Sequence, residues 1–344
     1  MSNNLDYNKN SYDIISNINK LNFENKSIII IGSGWMAKQY AIALYEMKIK
    51  NVIILSRNKD KTIKLCNEFG YIAIYGDLNE ELSKIPEKDL TIIATSVDSL
   101  YSVTKSAIQN GQKNILIEKP GSLYSNELLD LNKNNNKSRI RIAYNRLTYP
   151  NFHKLKSIIS EEGISSCNFN FTEILHFIDF EKNIQNVYSR WGISNSLHVI
   201  SMVFELIGFP KDYKFYNSGS LDWHPTSSIF VGSGISENNI LFSYHADWNS
   251  AGRWGIEVMT KKNGYRFIPL EELFVRYKNT FEWNKVPFDV AYPGIKQGIT
   301  EQISVMLEKK LEEKIPLITL EKGARLIDIT EEMLGYNKEN RKLD

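Results

Sequence analysis

Three short stretches of this sequence put polar side chains where chemistry could use them. Gly111–Pro120 reads GQKNILIEKP: the apolar run Ile115-Leu116-Ile117 is followed at once by Glu118-Lys119-Pro120. The run has the length and composition of a buried strand, so Lys119 stands at its carboxyl end, where open α/β sheets bind ligands. A lysine there can point its ammonium into a crevice, and the next residue, Pro120, fixes the local backbone. Farther along, His198 lies one turn into the apolar segment SLHVISMVFELIG, behind the polar pair Asn195-Ser196. An imidazole, with its ordinary pKa of about 6.5, suits general acid–base work near neutrality. Taken singly, Lys119 reads equally well as a surface lysine and His198 as a satisfied helix histidine. Their company argues for chemistry.

That company begins at Gly32-Ser33-Gly34-Trp35-Met36-Ala37, a GxGxxA turn between an apolar run and a helical pattern. Gly32 permits the tight turn, Gly34 lets a pyrophosphate approach the backbone, and Ala37 lets helix and strand pack closely. The helix start attracts the phosphate charge. About 20 residues on, where an NAD site usually carries an acid for the ribose hydroxyls, the chain offers Ser56-Arg57. A hydroxyl and a guanidinium suit a 2′-phosphate, so NADP(H) is the preferred cofactor and NAD(H) the alternative.

The positioning elements follow from periodicity. SIIIIGSG, NVIILS, IAIYG, LTIIATS, NILIEKP and RIRIAYN alternate with helical stretches, which predicts a doubly wound parallel sheet, a Rossmann domain over residues 1–148. Residues 1–25 read as an extension that packs on the first domain, with a short helix at Ser11–Leu21, or as a disordered tail. Beyond Tyr149-Pro150 the texture changes to CNFNFTEIL, SIFVG, ILFSYHADW, WGIEVMT and YRFIPL. These predict an α+β domain over 149–344 with a large, mostly antiparallel, open-faced sheet. Closing helices are expected at Gly298–Lys314 and Leu320–Leu334.

Composition narrows the class. The 344 residues carry 42 basic and 40 acidic side chains, a net charge of +2, which gives no electrostatic case for nucleic acid or an anionic membrane as partner. Cys66 and Cys167 have no zinc or disulfide spacing, and the five histidines have no HxxxH pattern, so no metal is expected. Without a signal-like start or a membrane-length apolar run, a cytoplasmic location is expected.

With these residues in place, the chain resembles the glucose–fructose oxidoreductase/inositol dehydrogenase (Gfo/Idh/MocA) family of NAD(P)-dependent oxidoreductases. The resemblance rests on IGSGWMA, IATS after the fourth strand, IEKP at 117–120, AYNR at 143–146, HVISMVFELIG at 198–208 and PLITLEKGARLIDITEEML near the end. It implies a Rossmann domain followed by an α+β domain whose open sheet mediates a homodimer or homotetramer. It implies sugars, nucleotide sugars or cyclitols as substrates. It also implies that Lys119 contacts the reacting oxygen, next to a Lys-Pro peptide that is often cis. Cofactor contacts then fall on Gly32, Ser33, Gly34, Trp35, Met36, Ser56 and Arg57, and on Thr95, Ser96, Glu118 and Lys119. Catalysis falls on Lys119 and His198 with help from Tyr144, and substrate contacts on Lys119, Asn145, Trp191, Asn195 and His198. Trp223, Trp248 and Arg253 are further substrate-contact candidates. The chain departs from the family's pattern at Ser194 and Ser201, where many members carry aspartate, and at Thr95-Ser96, where Thr-Pro is common. The expectation is an NADP(H)-dependent oxidoreductase of a sugar-like alcohol or ketone. A reductase of a non-sugar carbonyl or imine, and a non-catalytic dinucleotide sensor, are the alternatives.

Overall fold

A computed structural model of the chain describes residues 5–135 and 137–337. The start of the expected extension, Asn136 of the loop before RIRIAYN and residues 338–344 of the expected second domain lie outside the described residues. Among the described residues the chain forms two compact units, one reaching from residue 5 to 148 with 290–324, the other of residues 149–289 with 325–337. The expected range 149–344 therefore contains a segment, 290–324, that packs with the first unit.

The first unit begins with α1 (Ser11–Ile15) and then alternates: β1 (Ser27–Ile31), α2 (Trp35–Glu46), β2 (Asn51–Ser56), α3 (Lys59–Phe69), β3 (Ile72–Tyr75), α4 (Leu78–Ser83), β4 (Leu90–Ile93), α5 (Leu100–Gln109), β5 (Asn114–Glu118), α6 (Ser125–Lys133) and β6 (Arg139–Ala143). The six strands are all parallel, in the order β3-β2-β1-β4-β5-β6. Central strands are buried on both faces, which is why β1, β2 and β4 read as unbroken apolar runs. Ile14, Ile15, Ile18, Leu21 and Phe23 of the extension enter the same core. The Arg139 guanidinium draws the returning chain to the sheet edge, donating to the carbonyls of Met306 at 2.8 Å and Val305 at 3.0 Å.

The second unit holds α7 (Pro150–Glu162), β7 (Ser166–Asn170), α8 (Gln185–Ser189), α9 (Leu197–Ile207), β8 (Pro210–Ser218), β9 (Ile229–Ser236), β10 (Leu241–Asp247), β11 (Gly255–Met259), β12 (Asn263–Phe267), β13 (Phe274–Tyr277) and β14 (Asn284–Lys285). They form an eight-stranded sheet ordered β14-β13-β12-β11-β7-β10-β9-β8, antiparallel except where β7 meets β10. Along β10, Phe242, Tyr244 and Ala246 are buried while Leu241, Ser243 and His245 are exposed, the alternation of a half-open sheet. Phe169, Tyr244 and Phe204 pack on the covered face, with Phe169 and Tyr244 ring centroids 5.3 Å apart. Strand β8 went unseen in the sequence because it is an edge: it opens on a proline and most of its residues are exposed.

The chain closes with α10 (Ile299–Leu307) in the first unit and α11 (Leu320–Leu334), which starts there and runs into the second. The expected helix over Gly298–Lys314 thus ends early, and a 3₁₀ turn at Lys309–Glu313 replaces its last part, started by the Glu308 carboxylate accepting from the Lys310 N–H at 3.2 Å. Within α10, Glu301 is buried in the first unit, and burial raises its carboxyl from 4.5 to about 7 against the hydrogen bond from Thr300 Oγ1 at 2.9 Å. Below about pH 4.5 both folded and unfolded chains hold this proton; between 4.5 and 7 only the folded chain does, so its share of stability falls as pH rises through that window. The span corresponds to roughly 3 kcal/mol. Glu301→Gln is expected to remove this slope and to raise the unfolding free energy above pH 7, as read by urea melts at pH 5, 6, 7 and 8. An unchanged pH dependence in the variant would contradict the assignment.

Candidate functional site

At the end of β1 the chain has little room. Gly32 sits at φ +128°, and a Cβ there would lie 2.3 Å from the Ala94 carbonyl oxygen just past β4. Its N–H donates to the Leu55 carbonyl at 2.8 Å, and the Ala94 N–H donates to Ile31 at 2.8 Å. The turn is thereby clamped between β2 and β4, at the point where the strand order reverses. Gly34 differs: a Cβ there would meet nothing within 4 Å, so the space over the start of α2 is open. The first amide groups of a helix lack intrahelical partners and attract anions. Thr95 Oγ1 is buried beside the turn with no hydrogen-bond partner among the described residues. An open cradle at a helix start with an orphaned hydroxyl beside it fits the phosphates of a dinucleotide.

The other first-unit candidates divide between structure and solvent. Trp35 is 61% exposed, with the Lys296 ammonium 5.1 Å from its ring centroid. Met36 is half-buried and packs on the core. Ser33 Oγ and Ser56 Oγ are 2.9 Å apart, and Ser56 Oγ also bonds Thr62 Oγ1 at 2.7 Å. The Ser56 hydroxyl, expected to meet a 2′-phosphate, is thus spent on holding the two loops together. Arg57 is exposed at the same strand end. Ser96 is exposed, with its hydroxyl 3.1 Å from that of Ser99.

Glu118 is buried and accepts from Tyr40 Oη of α2 at 2.6 Å. Burial raises its carboxyl, opposed by Tyr40 and by the charges of Lys119 and Lys296. Lys119 follows at the end of β5, before a cis peptide to Pro120. Tyr144 is buried, and desolvation pushes its phenol far above the ordinary value, so hydrogen-bond donation, not proton exchange, is its chemistry near neutrality. Asn145, expected at the substrate, donates its amide to the Gln297 carbonyl at 3.1 Å and anchors the returning segment.

The second unit gathers its candidates around a turn of unusual pitch. Residues Gly192–Ser196 form a π-type turn in which the Leu197 N–H reaches back to the Gly192 carbonyl, and α9 continues from it. Such turns recur at functional sites. Gly192 is required by closeness: a Cβ would lie 1.9 Å from Leu334 Cδ1. Its N–H donates to Tyr336 Oη at 3.1 Å, and Tyr336 Oη lies 2.7 Å from His224 Nε2. Burial lowers His224 to about 4, so it stays neutral. His198 is buried on α9, its ring 5.7 Å from that of Trp254. Trp191 stacks on Tyr188 and meets Trp223 edge-on. Trp248 is not a surface contact: it is 1% exposed and donates to the Phe171 carbonyl. Arg253 is exposed. Ser194 and Ser201 donate to the helix carbonyls of Trp191 and His198 and replace no acid.

Two charged residues near these candidates had no signal in the sequence. Lys296 lies in an irregular segment, and only its return to the first unit brings it to Trp35 and Glu118. Glu173, just past β7, reads as the end of an alternating strand. It is 4% exposed and accepts from Asn195 Nδ2 at 2.7 Å and Ser196 Oγ at 2.6 Å.

Residues 14–119 match the shikimate/quinate 5-dehydrogenase family. Glutamyl-tRNA reductase of Methanocaldococcus jannaschii is 35% identical over 95 residues, 28% of this chain and 24% of that protein. Shikimate dehydrogenase (NADP(+)) of Prochlorococcus marinus is 33% identical over 99 residues, 28% of this chain and 35% of that protein. The chain thus spans about a quarter to a third of the length of these curated relatives. Solved structures match far more of it. UDP-N-acetylglucosamine 3-dehydrogenase from Acidithiobacillus ferrooxidans superposes with a TM-score of 0.70 at 14% identity, covering 91% of this chain and 98% of that one. Levoglucosan dehydrogenase in complex with NADH gives 0.71 at 17%, covering 90% and 96%.

Gly32 and Gly34 separate folding from binding. Gly32→Ala is expected to cost roughly 2–4 kcal/mol, from backbone strain and collision with Ala94. Gly34→Ala should change stability by no more than about 1 kcal/mol and yet weaken dinucleotide binding at least about tenfold, because its methyl fills the cradle. Thermal unfolding and fluorescence titration with NADPH read the two effects; undiminished NADPH affinity in Gly34→Ala would remove the dinucleotide from this turn. The glycine clamp, the parallel sheet it closes and the open-faced second sheet are those of one known architecture: the chain has the fold of the Gfo/Idh/MocA-type NAD(P) oxidoreductases.

Proposed function

We propose that the protein is an NADP(H)-dependent oxidoreductase that transfers a hydride to or from a sugar-like alcohol or ketone. The observation that carries the proposal is the open cradle above Gly34 together with Lys119, which ends β5, two strands from β1 in the same sheet. The bound dinucleotide would supply hydride exchange at the nicotinamide ring. The Gly32–Met36 turn holds its phosphates. Lys119 offers a positive charge to the oxygen of the reacting carbon, and His198 is the second unit's candidate general acid–base group. Tyr144, kept protonated by burial, can offer a hydrogen bond but does not give up its proton near neutrality. A sugar substrate is supported by the activities named for the two solved structures of like fold, and a dinucleotide by the NADH in one of them.

Preference for NADP(H) rests on Arg57, exposed at the end of β2, more than on Ser56, whose hydroxyl is already bonded. The NADP(+) in the name of the Prochlorococcus relative supports it. The exposed face of the eight-stranded sheet is the proposed contact of a homodimer or homotetramer, which light scattering reads directly.

Turnover is measured with NADP+ and NAD+ against levoglucosan, D-glucose, myo-inositol and UDP-N-acetylglucosamine. Lys119→Ala should lower kcat about a hundredfold on any compound turned over and leave the NADPH Kd within about twofold. Arg57→Ala should weaken NADPH at least about tenfold and spare NADH, as loss of a charge-assisted contact predicts. Near-normal turnover in Lys119→Ala would overturn the proposed chemistry, and equal affinities for the two cofactors in the unaltered protein would overturn the preference.

A further inference from the structure

The second unit buries a carboxylate among side chains already singled out for substrate. Glu173 Oε2 accepts from Asn195 Nδ2 at 2.7 Å, and Oε1 accepts from Ser196 Oγ at 2.6 Å. The indole N–H groups of Trp191 and Trp254 also favour its charged form, Trp191 from beyond ordinary hydrogen-bond range. Trp254 in turn packs on the His198 ring. One carboxylate therefore holds the last two residues of the π-type turn and is favoured by the aromatic neighbour of His198. All of these partners are neutral donors, the set that serves an anion. Burial pushes the carboxyl up, and the four donors oppose it.

The chemistry of the pair fixes the Asn195 amide. A carboxylate can only accept, so the end of Asn195 facing Glu173 is its NH2. The carbonyl oxygen Oδ1 is then the end turned elsewhere, and it enters no hydrogen bond among the described residues, on a side chain that is only half-buried. We propose that Glu173 is the positioning residue of the second unit's candidate site and that it presents Asn195 Oδ1 as an acceptor for a substrate hydroxyl. The inference deepens the oxidoreductase reading and rests on it for the identity of the ligand. It restricts that ligand: the group at Asn195 donates a hydrogen bond, as an alcohol does and as a carboxylate, phosphate or bare ketone does not.

Two measurements test it, one independent of activity. The sequence has six tryptophans, so the indole region of a 1H–15N spectrum holds few signals, assignable through single Trp→Phe variants. Glu173→Gln should shift the Trp191 and Trp254 indole signals by several times the shift of any other. If neither moves beyond the rest, the positioning role fails, whatever the enzyme does. The kinetic arm uses the panel compound with the highest kcat/KM at saturating NADP+. Glu173→Gln should lower kcat/KM for that compound about tenfold or more and leave the KM for NADP+ within twofold. Asn195→Asp, which sets a second carboxylate against Glu173, should lose more. The double variant Glu173→Gln with Asn195→Asp restores a donor–acceptor pair with reversed polarity and keeps an oxygen toward substrate, so it should recover at least about tenfold over Asn195→Asp alone. A double variant no better than Asn195→Asp would show that Asn195 does not act as the acceptor. Absence of turnover on every panel compound would count against the oxidoreductase reading, and the indole shifts would still decide the role of Glu173.

Discussion

The turn after β1 has almost no freedom, and the first unit is arranged around that fact. A backbone that passes within 2.3 Å of where a Cβ would sit cannot shift without parting β1 from β4. The tightness fixes the start of α2 and so the direction in which its unpaired amide groups point. It also fixes Tyr40, one and a half turns into α2, whose phenol reaches Glu118 at the end of β5. Lys119 is the next residue. The chain of constraint runs from a missing side chain at Gly32 to the placement of an ammonium on the far side of β4, through one strand pairing and one buried hydrogen bond.

Buried carboxylates do much of the remaining positioning, and each is handled differently. Glu118 is offset by two lysine charges and a phenol that keeps its proton. Glu173 is met by neutral donors alone. Glu301 has no opposite charge among its partners, and burial raises its carboxyl to about 7. The contrast follows from the rule that an ionised group in a low-dielectric interior needs either opposite charge or enough hydrogen bonds. It also separates roles. A carboxylate that accepts from the side chains of two adjacent residues orders them. One held by its own helix end and a neighbouring threonine orders little.

Much of this was legible before any coordinates. The six parallel strands announced themselves because a strand covered on both faces needs apolar residues throughout, and Lys119 and the glycine turn were found from where such runs stop. The apolar positions Ile14, Ile15, Ile18 and Leu21 of the extension are all buried, but the helix expected over Ser11–Leu21 stops at Ile15 and gives way to a 3₁₀ turn at Ile18–Lys20. Illegible parts have common causes. Strand β8 is an edge with mostly exposed side chains, so no hydrophobic pattern marks it. Ser56 and Asn145 were read by position, and position does not reveal that the hydroxyl and the amide are already bonded internally. Glu173 and Lys296 take their meaning from residues more than twenty positions away or from an irregular segment, and no local pattern encodes that.

The comparisons divide along the same physical line. The match to the family model ends at residue 119, just past the glycine turn and β5, while the fold extends over nine-tenths of the chain at 14–17% identity. A turn set by backbone clearance has few solutions, since only glycine fits at φ +128° against a carbonyl, and unrelated chemistries that use a dinucleotide must reuse it. A polar helix face has many solutions. Here the positions where the resembled family often carries aspartate are Ser194 and Ser201, whose hydroxyls close on helix carbonyls. The buried carboxyl group bonded to the start of this helix belongs instead to Glu173, just past β7 in the same unit. The same kind of group can reach the same helix turn from another element, provided donors are there to receive it. A fold can therefore persist while the polar residues along one of its helices are exchanged.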